Sequence, residues 1–145
     1  MTDGAPGLLV VTHGKLADEL AHAVRRIVGD VPALGSISLG WDDDVADARR
    51  RMEEGIARVA IGGRVLILTD MFGGTPTNIA LSLLDPGKVD VVTGVNLPML
   101  IKFANLRTID GFDETVRRIA QQGREAIQVA SEVLERREEG GDAGR

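Results

Sequence analysis

The chain has 145 residues, a length typical of one domain, and its 22 acidic and 17 basic residues give a net charge of −5. The acidic balance argues against nucleic acid as a partner, and the absence of cysteine excludes disulfides and thiolate nucleophiles or metal ligands. No apolar run reaches the roughly 20 residues needed to cross a membrane, and the N-terminus lacks the positive start of a signal peptide, so we predict a cytoplasmic protein without direct membrane insertion.

The first half of the chain alternates apolar strands with amphipathic helices. Residues 8–12 predict a buried strand, and residues 35–39 predict a second, weaker one. A helix that ends at Gly29 lies between them, and its apolar stripe comprises Leu16, Leu20, Val24 and Ile27. A second helix follows, with an apolar stripe at Val45, Ala48, Met52, Ile56 and Val59. Three consecutive aspartates, residues 42–44, open this helix, and we interpret them as capping residues rather than as a metal site.

The second half continues the alternation. Residues 65–69 form a continuous apolar run typical of a strand buried on both faces, and residues 89–93 predict a fourth strand. Between these strands, Thr75 and Pro76 have the residue types of a helix N-cap and of a first helical position. Asn96 is predicted to cap the next helix, which begins near residues 97–98.

The C-terminal part is predicted to be helical from residue 113 to about 137, with an interruption at Gly123. Residues 1–7 and 138–145 are predicted to be flexible tails. Strand–helix alternation four times over predicts an α/β fold, a mostly parallel sheet covered by helices on both faces. Our fold prediction is one three-layer α/β/α domain over residues 1–145, with four strands in the order 2-1-3-4.

Right-handed crossovers place the carboxyl ends of parallel strands at one edge, where three features of this sequence meet. His13 follows the first strand and offers an imidazole as nucleophile or general base. Asp70 follows the third strand and can bond one ring nitrogen if these strands are neighbours, which leaves the other nitrogen's lone pair free. Gly73 and Gly74 lead into a helix start that suits an anion, and the Thr75 hydroxyl adds a donor. Singly, each residue is more simply explained as a cap or turn residue; together they fit phosphoryl transfer.

Three segments carry a more specific pattern: VVTHGKLA at residues 10–17, TDMFGGTPTN at 69–78 and GVNLPML at 94–100. In order and approximate spacing they resemble the mannose-type enzyme IIA domain of the bacterial phosphoenolpyruvate-dependent sugar phosphotransferase system. The two later segments are the distinctive ones, since the histidine motif alone is not specific to this family. The resemblance covers most of the chain.

The resemblance implies a function and roles for single residues. His13 would receive a phosphoryl group from the phosphocarrier HPr and pass it to an enzyme IIB domain. Asp70 would orient the histidine, and Thr75 would lie near the phosphoryl group. The predicted catalytic residues are therefore His13, Asp70 and Thr75. The predicted phosphoryl-binding residues are Gly14, Gly73 and Gly74. No metal or other cofactor is expected.

The resemblance also implies a homodimer, because members of the family exchange a C-terminal strand between subunits. In this chain, residues 126–130 are the candidate for that antiparallel strand, and their residue types can equally continue a helix.

Two other functions stay open from the sequence. One is the phosphotransfer subunit of a dihydroxyacetone kinase system, which shares the histidine strand. The other is a regulatory binding module whose partner reads the phosphorylation state of His13. A histidine phosphatase is disfavoured, because Thr12 stands where those enzymes have an arginine. Lys15 either attracts a phosphoryl donor or is simply solvated, and His22 is predicted to face solvent.

Overall fold

The computed structural model describes residues 6–106 and 111–144, which form a parallel sheet with helices on both faces. Ten elements follow one another in this part of the chain: β1 (Gly7–His13), α1 (Leu16–Val28), β2 (Leu34–Leu39), α2 (Val45–Val59), β3 (Val65–Thr69), α3 (Gly74–Ser82), β4 (Val89–Thr93), α4 (Leu97–Leu106), α5 (Phe112–Glu125) and α6 (Ala130–Gly144). The strand order is β2-β1-β3-β4, so the predicted fold class and sheet order are confirmed. No helix within the described ranges is long and apolar enough to cross a membrane.

The strand registers bring the ends of β1 and β3 together. Val11 of β1 is paired with Thr69, the last residue of β3, and on its other side β1 pairs with β2 as far as His13. His13 therefore stands two residues beyond the pair, and Asp70 stands one residue beyond it. Because the two strands are parallel neighbours, both side chains reach the same edge of the sheet.

The core consists of two apolar layers, one on each face of the sheet. Successive residues of β1 and β3 point to opposite faces, and all the apolar ones are buried, which explains their unbroken apolar runs. One layer is packed beneath α1, α4 and α5 and includes Leu8, Val10, Leu66, Leu68 and Phe103. The other is packed beneath α2 and α3 and includes Leu9, Val11, Ile67, Met52 and Ile79. Each fully buried large side chain contributes about 1.5–3 kcal/mol relative to exposure.

The predicted apolar stripe of α1 is confirmed for Val24, which is buried, and for Leu20, which packs against the core, but it is wrong at both ends. Leu16 and Ile27 are exposed, and the buried positions are Ala17, Ala21 and Val24. The Ala17 N–H donates to the buried Thr12 Oγ1 over 2.7 Å, which holds the start of the helix to the end of β1. Small alanine side chains let the helix lie close to the sheet, a feature that counting large apolar residues misses.

The start of α2 confirms capping by the aspartates. Asp44 is the N-cap, and its side chain accepts a hydrogen bond from the Asp47 N–H over 3.3 Å. Asp43 accepts from the Gly40 N–H over 2.7 Å and so closes the loop before the helix. Within residues 6–106 and 111–144, no group of three or more histidine, aspartate or glutamate side chains is placed to hold a metal ion.

The C-terminal region differs from the prediction in where its helix is interrupted. Gly123 lies inside α5, and a Cβ there would stand 2.7 Å from Met99 Sδ, so glycine is needed for close packing against α4. The interruption falls instead at residues 126–129. The candidate exchanged strand, residues 126–130, is not a strand in this chain, because it is this connection followed by the first residue of α6.

Both predicted tails include residues of regular structure. Gly7 is the buried first residue of β1, and residues 138–144 belong to α6. The mobility of the termini stays a prediction.

Candidate active site

The structure joins His13 and Asp70 at the carboxyl edge of the sheet. The Asp70 Oδ2 atom lies 2.8 Å from His13 Nδ1 and also accepts a hydrogen bond from the His13 backbone N–H over 3.1 Å. The two side chains are largely buried, with 23% of His13 and 15% of Asp70 exposed. A carboxylate can only accept, so the proton in the short contact belongs to Nδ1. The neutral imidazole therefore carries its lone pair on Nε2.

Two buried threonines hold the loop that presents Asp70. The Thr77 hydroxyl donates to the backbone carbonyl of Met71, and the Thr69 and Thr77 hydroxyl oxygens lie 2.8 Å apart. Because the Thr77 proton is used on Met71, Thr69 is the donor in the second contact. The network ties the last residue of β3 to the first turn of α3, on both sides of Asp70. The sequence analysis did not single out Thr77, since a threonine inside a helix gives no signal of this role.

The glycine pair brings the start of α3 directly against the free nitrogen of His13. Gly73 and Gly74 have φ angles of +92° and +80°, which favour glycine. A Cβ built on Gly74 would lie 2.9 Å from both Cε1 and Nε2 of His13, whereas one built on Gly73 would meet nothing within 4 Å. Gly74 therefore lets the helix N-terminus, with its unpaired N–H groups and positive dipole end, approach the nucleophilic nitrogen.

The prediction of Thr75 as the N-cap is wrong by two residues. The N-cap is Gly73, and α3 begins at Gly74, so Thr75 is an exposed residue of the first turn. The positive φ of both glycines allows the chain to enter the helix earlier than the sequence preference for threonine capping indicates. Thr75 still shares that turn with Gly74, and Pro76, which has no N–H, follows it.

Gly14 is engaged elsewhere. Its N–H donates to the Leu39 carbonyl over 2.8 Å and so extends the pairing of β1 with β2. Its φ of +58° turns the chain from the strand toward α1. The structure therefore does not offer the Gly14 N–H as a free donor at the site.

One aromatic neighbour of His13 was missed by the sequence analysis. Trp41, in the loop between β2 and α2, stacks on the imidazole with ring centroids 5.3 Å apart and planes inclined by 21°. This loop follows β2 and therefore lies at the same edge of the parallel sheet, but the direction of a loop side chain cannot be read from a periodic pattern. His22 is exposed on α1, as predicted, and Lys15 is an exposed residue at the start of α1.

Chemically, these residues provide a ring nitrogen with a free lone pair, a carboxylate that accepts from the other ring nitrogen, and beside them a helix start of the kind that can bind an anion. The arrangement suits transfer of an anionic group to or from Nε2 of His13. Geometry of this kind is what sequence reasoning predicted for His13, Asp70 and Gly74.

Comparison with known proteins agrees with this chemistry. Residues 7–120 match the family described as PTS system fructose IIA component, where PTS denotes the phosphotransferase system. The chain is 29% identical over 122 residues, 83% of its length, to the PTS system mannose-specific EIIAB component of Escherichia coli (strain K12), but it spans only 38% of that protein. It is 25% identical over 130 residues to the PTS system fructose-specific EIIA component of Bacillus subtilis (strain 168), covering 89% of each chain.

A solved structure shows the same fold. The phosphotransferase system component EIIA from Streptococcus agalactiae superimposes with a TM-score of 0.78 and 26% sequence identity, over 86% of this chain and 97% of that one. The family match covers well over half of the present sequence, from the start of β1 into α5. The chain therefore belongs to the EIIA family of the phosphotransferase system, whose members include mannose-, fructose- and sorbose-specific components.

Proposed function

We propose that this chain acts as a single enzyme IIA domain that carries a phosphoryl group on Nε2 of His13. It receives the group from HPr and passes it to an enzyme IIB partner. The observation that carries the proposal is the hydrogen bond of His13 Nδ1 to Asp70, which leaves Nε2 as the nucleophile facing Gly74. Membership of the EIIA family supports phosphoryl transfer as the reaction.

The transfer is a direct displacement between two nitrogen atoms. The lone pair of His13 Nε2 attacks the phosphorus of a phosphohistidine on HPr, and the nitrogen–phosphorus bond in the donor breaks. The donor imidazole, protonated at its other nitrogen, leaves as a neutral ring with the electron pair of the broken bond. His13 keeps its Nδ1 proton and becomes a phosphorylated imidazolium. The Asp70 carboxylate, 2.8 Å from Nδ1, stabilises that positive charge.

The start of α3 supplies the other half of the site. A transferred phosphoryl group carries about −1.5 to −2 charges near neutral pH. The helix dipole alone contributes typically about 0.3–1 kcal/mol to holding an anion, so direct hydrogen bonds must do most of the binding. We assign these bonds to the N–H groups of Gly74 and Thr75 and to the Thr75 hydroxyl, while Gly73 provides the backbone turn that brings them to His13.

The direct test is phosphorylation of the full chain by phosphoenolpyruvate, enzyme I and HPr. We expect one acid-labile, base-stable phosphoryl group, located on His13 by tandem mass spectrometry, because Asp70 orients this histidine and leaves its Nε2 lone pair free. His22 is the matched internal control, since it is the other histidine of the chain and is exposed on α1. Stable labelling of His22, or no labelling of either histidine under conditions that phosphorylate a known IIA protein, would contradict the proposal.

We also propose that the chain works as a homodimer through its C-terminal segment. Ile127 is 78% exposed, and Val129 and Leu134 are also largely exposed, so this segment presents an apolar surface that the single chain leaves uncovered. Apolar side chains that recur along one short segment are typical of an interface.

Sedimentation velocity tests the dimer. We expect a mass of about 31 kDa, twice the 15.5 kDa of the chain. Ile127→Glu should shift the population to the monomer, because it places a charge in the apolar segment. Ile27→Glu is the matched control, since Ile27 is equally an exposed isoleucine but lies on α1. A monomeric wild-type protein, or equal dissociation by both substitutions, would argue against this interface.

A further inference from the structure

The stacking of Trp41 on His13 has no part in the chemistry derived above. Trp41 is the only tryptophan of the chain and is 79% exposed, yet its ring lies nearly parallel to the imidazole. An indole on the surface is ordinarily free to choose among rotamers. The position of the indole over the imidazole must therefore be fixed by the loop that carries Trp41.

The loop is built as a closed turn around Trp41. The Asp43 carboxylate accepts from the Gly40 N–H over 2.7 Å and from Arg51 over 3.3 Å. The Asp43 N–H in turn donates to the Gly40 carbonyl. These bonds connect the residues on either side of Trp41 and fasten the turn to α2. The backbone that carries the indole is thereby fixed, although the indole itself is exposed.

The imidazole side of the contact is also held in place. A Cβ on Gly14 would lie 3.7–3.9 Å from three atoms of the indole, which is ordinary van der Waals contact, so Trp41 lies directly beside the residue that follows His13. The imidazole is thus contacted on three sides: Asp70 is hydrogen-bonded to Nδ1, Gly74 lies against the Nε2 edge, and Trp41 covers one face of the ring. Rotation of the imidazole about its χ2 bond would break the stacking and the hydrogen bond together.

We propose that Trp41 is a positioning residue for phosphoryl transfer, which confines the His13 imidazole to the plane in which Nε2 faces Gly74. The inference rests on the proposed function of His13 and extends it to a residue that contacts the nucleophile without taking part in the bond changes. Trp41 acts on the orientation of the nucleophile, so its removal should affect the transfer step rather than the binding of the phosphoryl donor. An aromatic pair of this kind corresponds to about a three- to tenfold preference for the stacked orientation.

Kinetics with phosphorylated HPr separate positioning from docking. We expect Trp41→Ala to lower kcat about three- to tenfold, while KM for phosphorylated HPr stays within about twofold of the wild-type value. Trp41→Phe should restore most of kcat, because a phenyl ring also stacks on imidazole. A raised KM with unchanged kcat would overturn the proposal and make Trp41 a docking residue. Unchanged kcat and KM would overturn it as well.

A spectroscopic measurement tests the stacking without any activity. In the unphosphorylated protein, the ring protons of His13 should be shifted by the ring current of Trp41 in the NMR spectrum, and Trp41→Ala should remove that shift. His22 is the internal reference, and Phe72→Ala is the matched control, since Phe72 is an exposed aromatic residue of the neighbouring loop. Identical His13 signals in wild type and Trp41→Ala would show that the rings do not stack in solution.

These experiments distinguish two kinds of failure. If wild-type His13 is not phosphorylated, the proposed function fails, whatever the NMR spectra show. If wild-type His13 is phosphorylated but Trp41→Ala transfers the group at the wild-type rate, only the positioning role fails. Circular dichroism of Trp41→Ala should match the wild type, because an exposed side chain contributes little to folding.

Discussion

Replacement of Gly74 by alanine is expected to slow phosphorylation of His13 by about 100-fold or more. The added Cβ would lie 2.9 Å from Cε1 and Nε2 of His13, in the space that an incoming phosphorus atom must enter. Either the imidazole or the first turn of α3 must move, and a displacement of about 1 Å at a reacting centre costs on the order of 100-fold in rate. The measurement is the rate of phosphoryl transfer from phosphorylated HPr.

Gly73→Ala separates this steric effect from backbone strain. Gly73 has a similar positive φ, but a Cβ there would meet nothing within 4 Å, so both variants share the strain and only Gly74→Ala blocks Nε2. We expect phosphoryl transfer to Gly73→Ala to be considerably faster than transfer to Gly74→Ala. His13→Ala gives the background rate of the assay. Equal rates in the two glycine variants would mean that the contact with Nε2 is not what matters.

Asp70→Asn is expected to lower the transfer rate on the order of 10³-fold or more, by analogy with other histidines that depend on an orienting carboxylate. Asparagine is nearly the same shape as aspartate but carries no charge, so the phosphorylated imidazolium loses its counter-charge. Its amide can also donate to Nδ1, which favours the tautomer with the proton on Nε2. That proton would occupy the lone pair that attacks phosphorus.

The rate of Asp70→Asn should be compared with that of Asp90→Asn. Asp90 also accepts a hydrogen bond from a backbone N–H, that of Val91 over 2.8 Å, but it lies in β4 and does not contact His13. We expect the Asp90 variant to transfer within about twofold of the wild-type rate, as is usual for a substitution away from the site. If Asp70→Asn transferred the phosphoryl group at the wild-type rate, the carboxylate would have no role in the mechanism.

The sheet could be predicted from the sequence because its central strands are buried on both faces. Unbroken apolar runs such as residues 65–69 have few alternatives to a central strand of a parallel sheet. Helix faces were less predictable where small residues do the packing. Ala17 and Gly123 both lie in close contacts that depend on the neighbouring element, and a pattern of large apolar residues does not record them.

The site could be predicted in part for a similar reason. His13 is the last residue of β1 and Asp70 directly follows β3, and these strands are parallel neighbours, so topology alone brings the two residues together. Trp41, Thr77 and the capping role of Gly73 depend on the course of two loops. Loop conformation is decided by single hydrogen bonds and by positive φ angles, which leave no periodic signal in the chain.

The two hydrogen bonds that the Asp70 Oδ2 atom accepts have a consequence for the proposed function, in which His13 is phosphorylated and dephosphorylated repeatedly. One of these two hydrogen bonds comes from the main chain of His13 and does not depend on the state of the ring. When the imidazole gains or loses a phosphoryl group, or tilts toward a bound partner protein, the carboxylate stays hydrogen-bonded to the main chain of β1. Each cycle therefore begins from the same arrangement of charge, and little reorganisation energy is spent in restoring it.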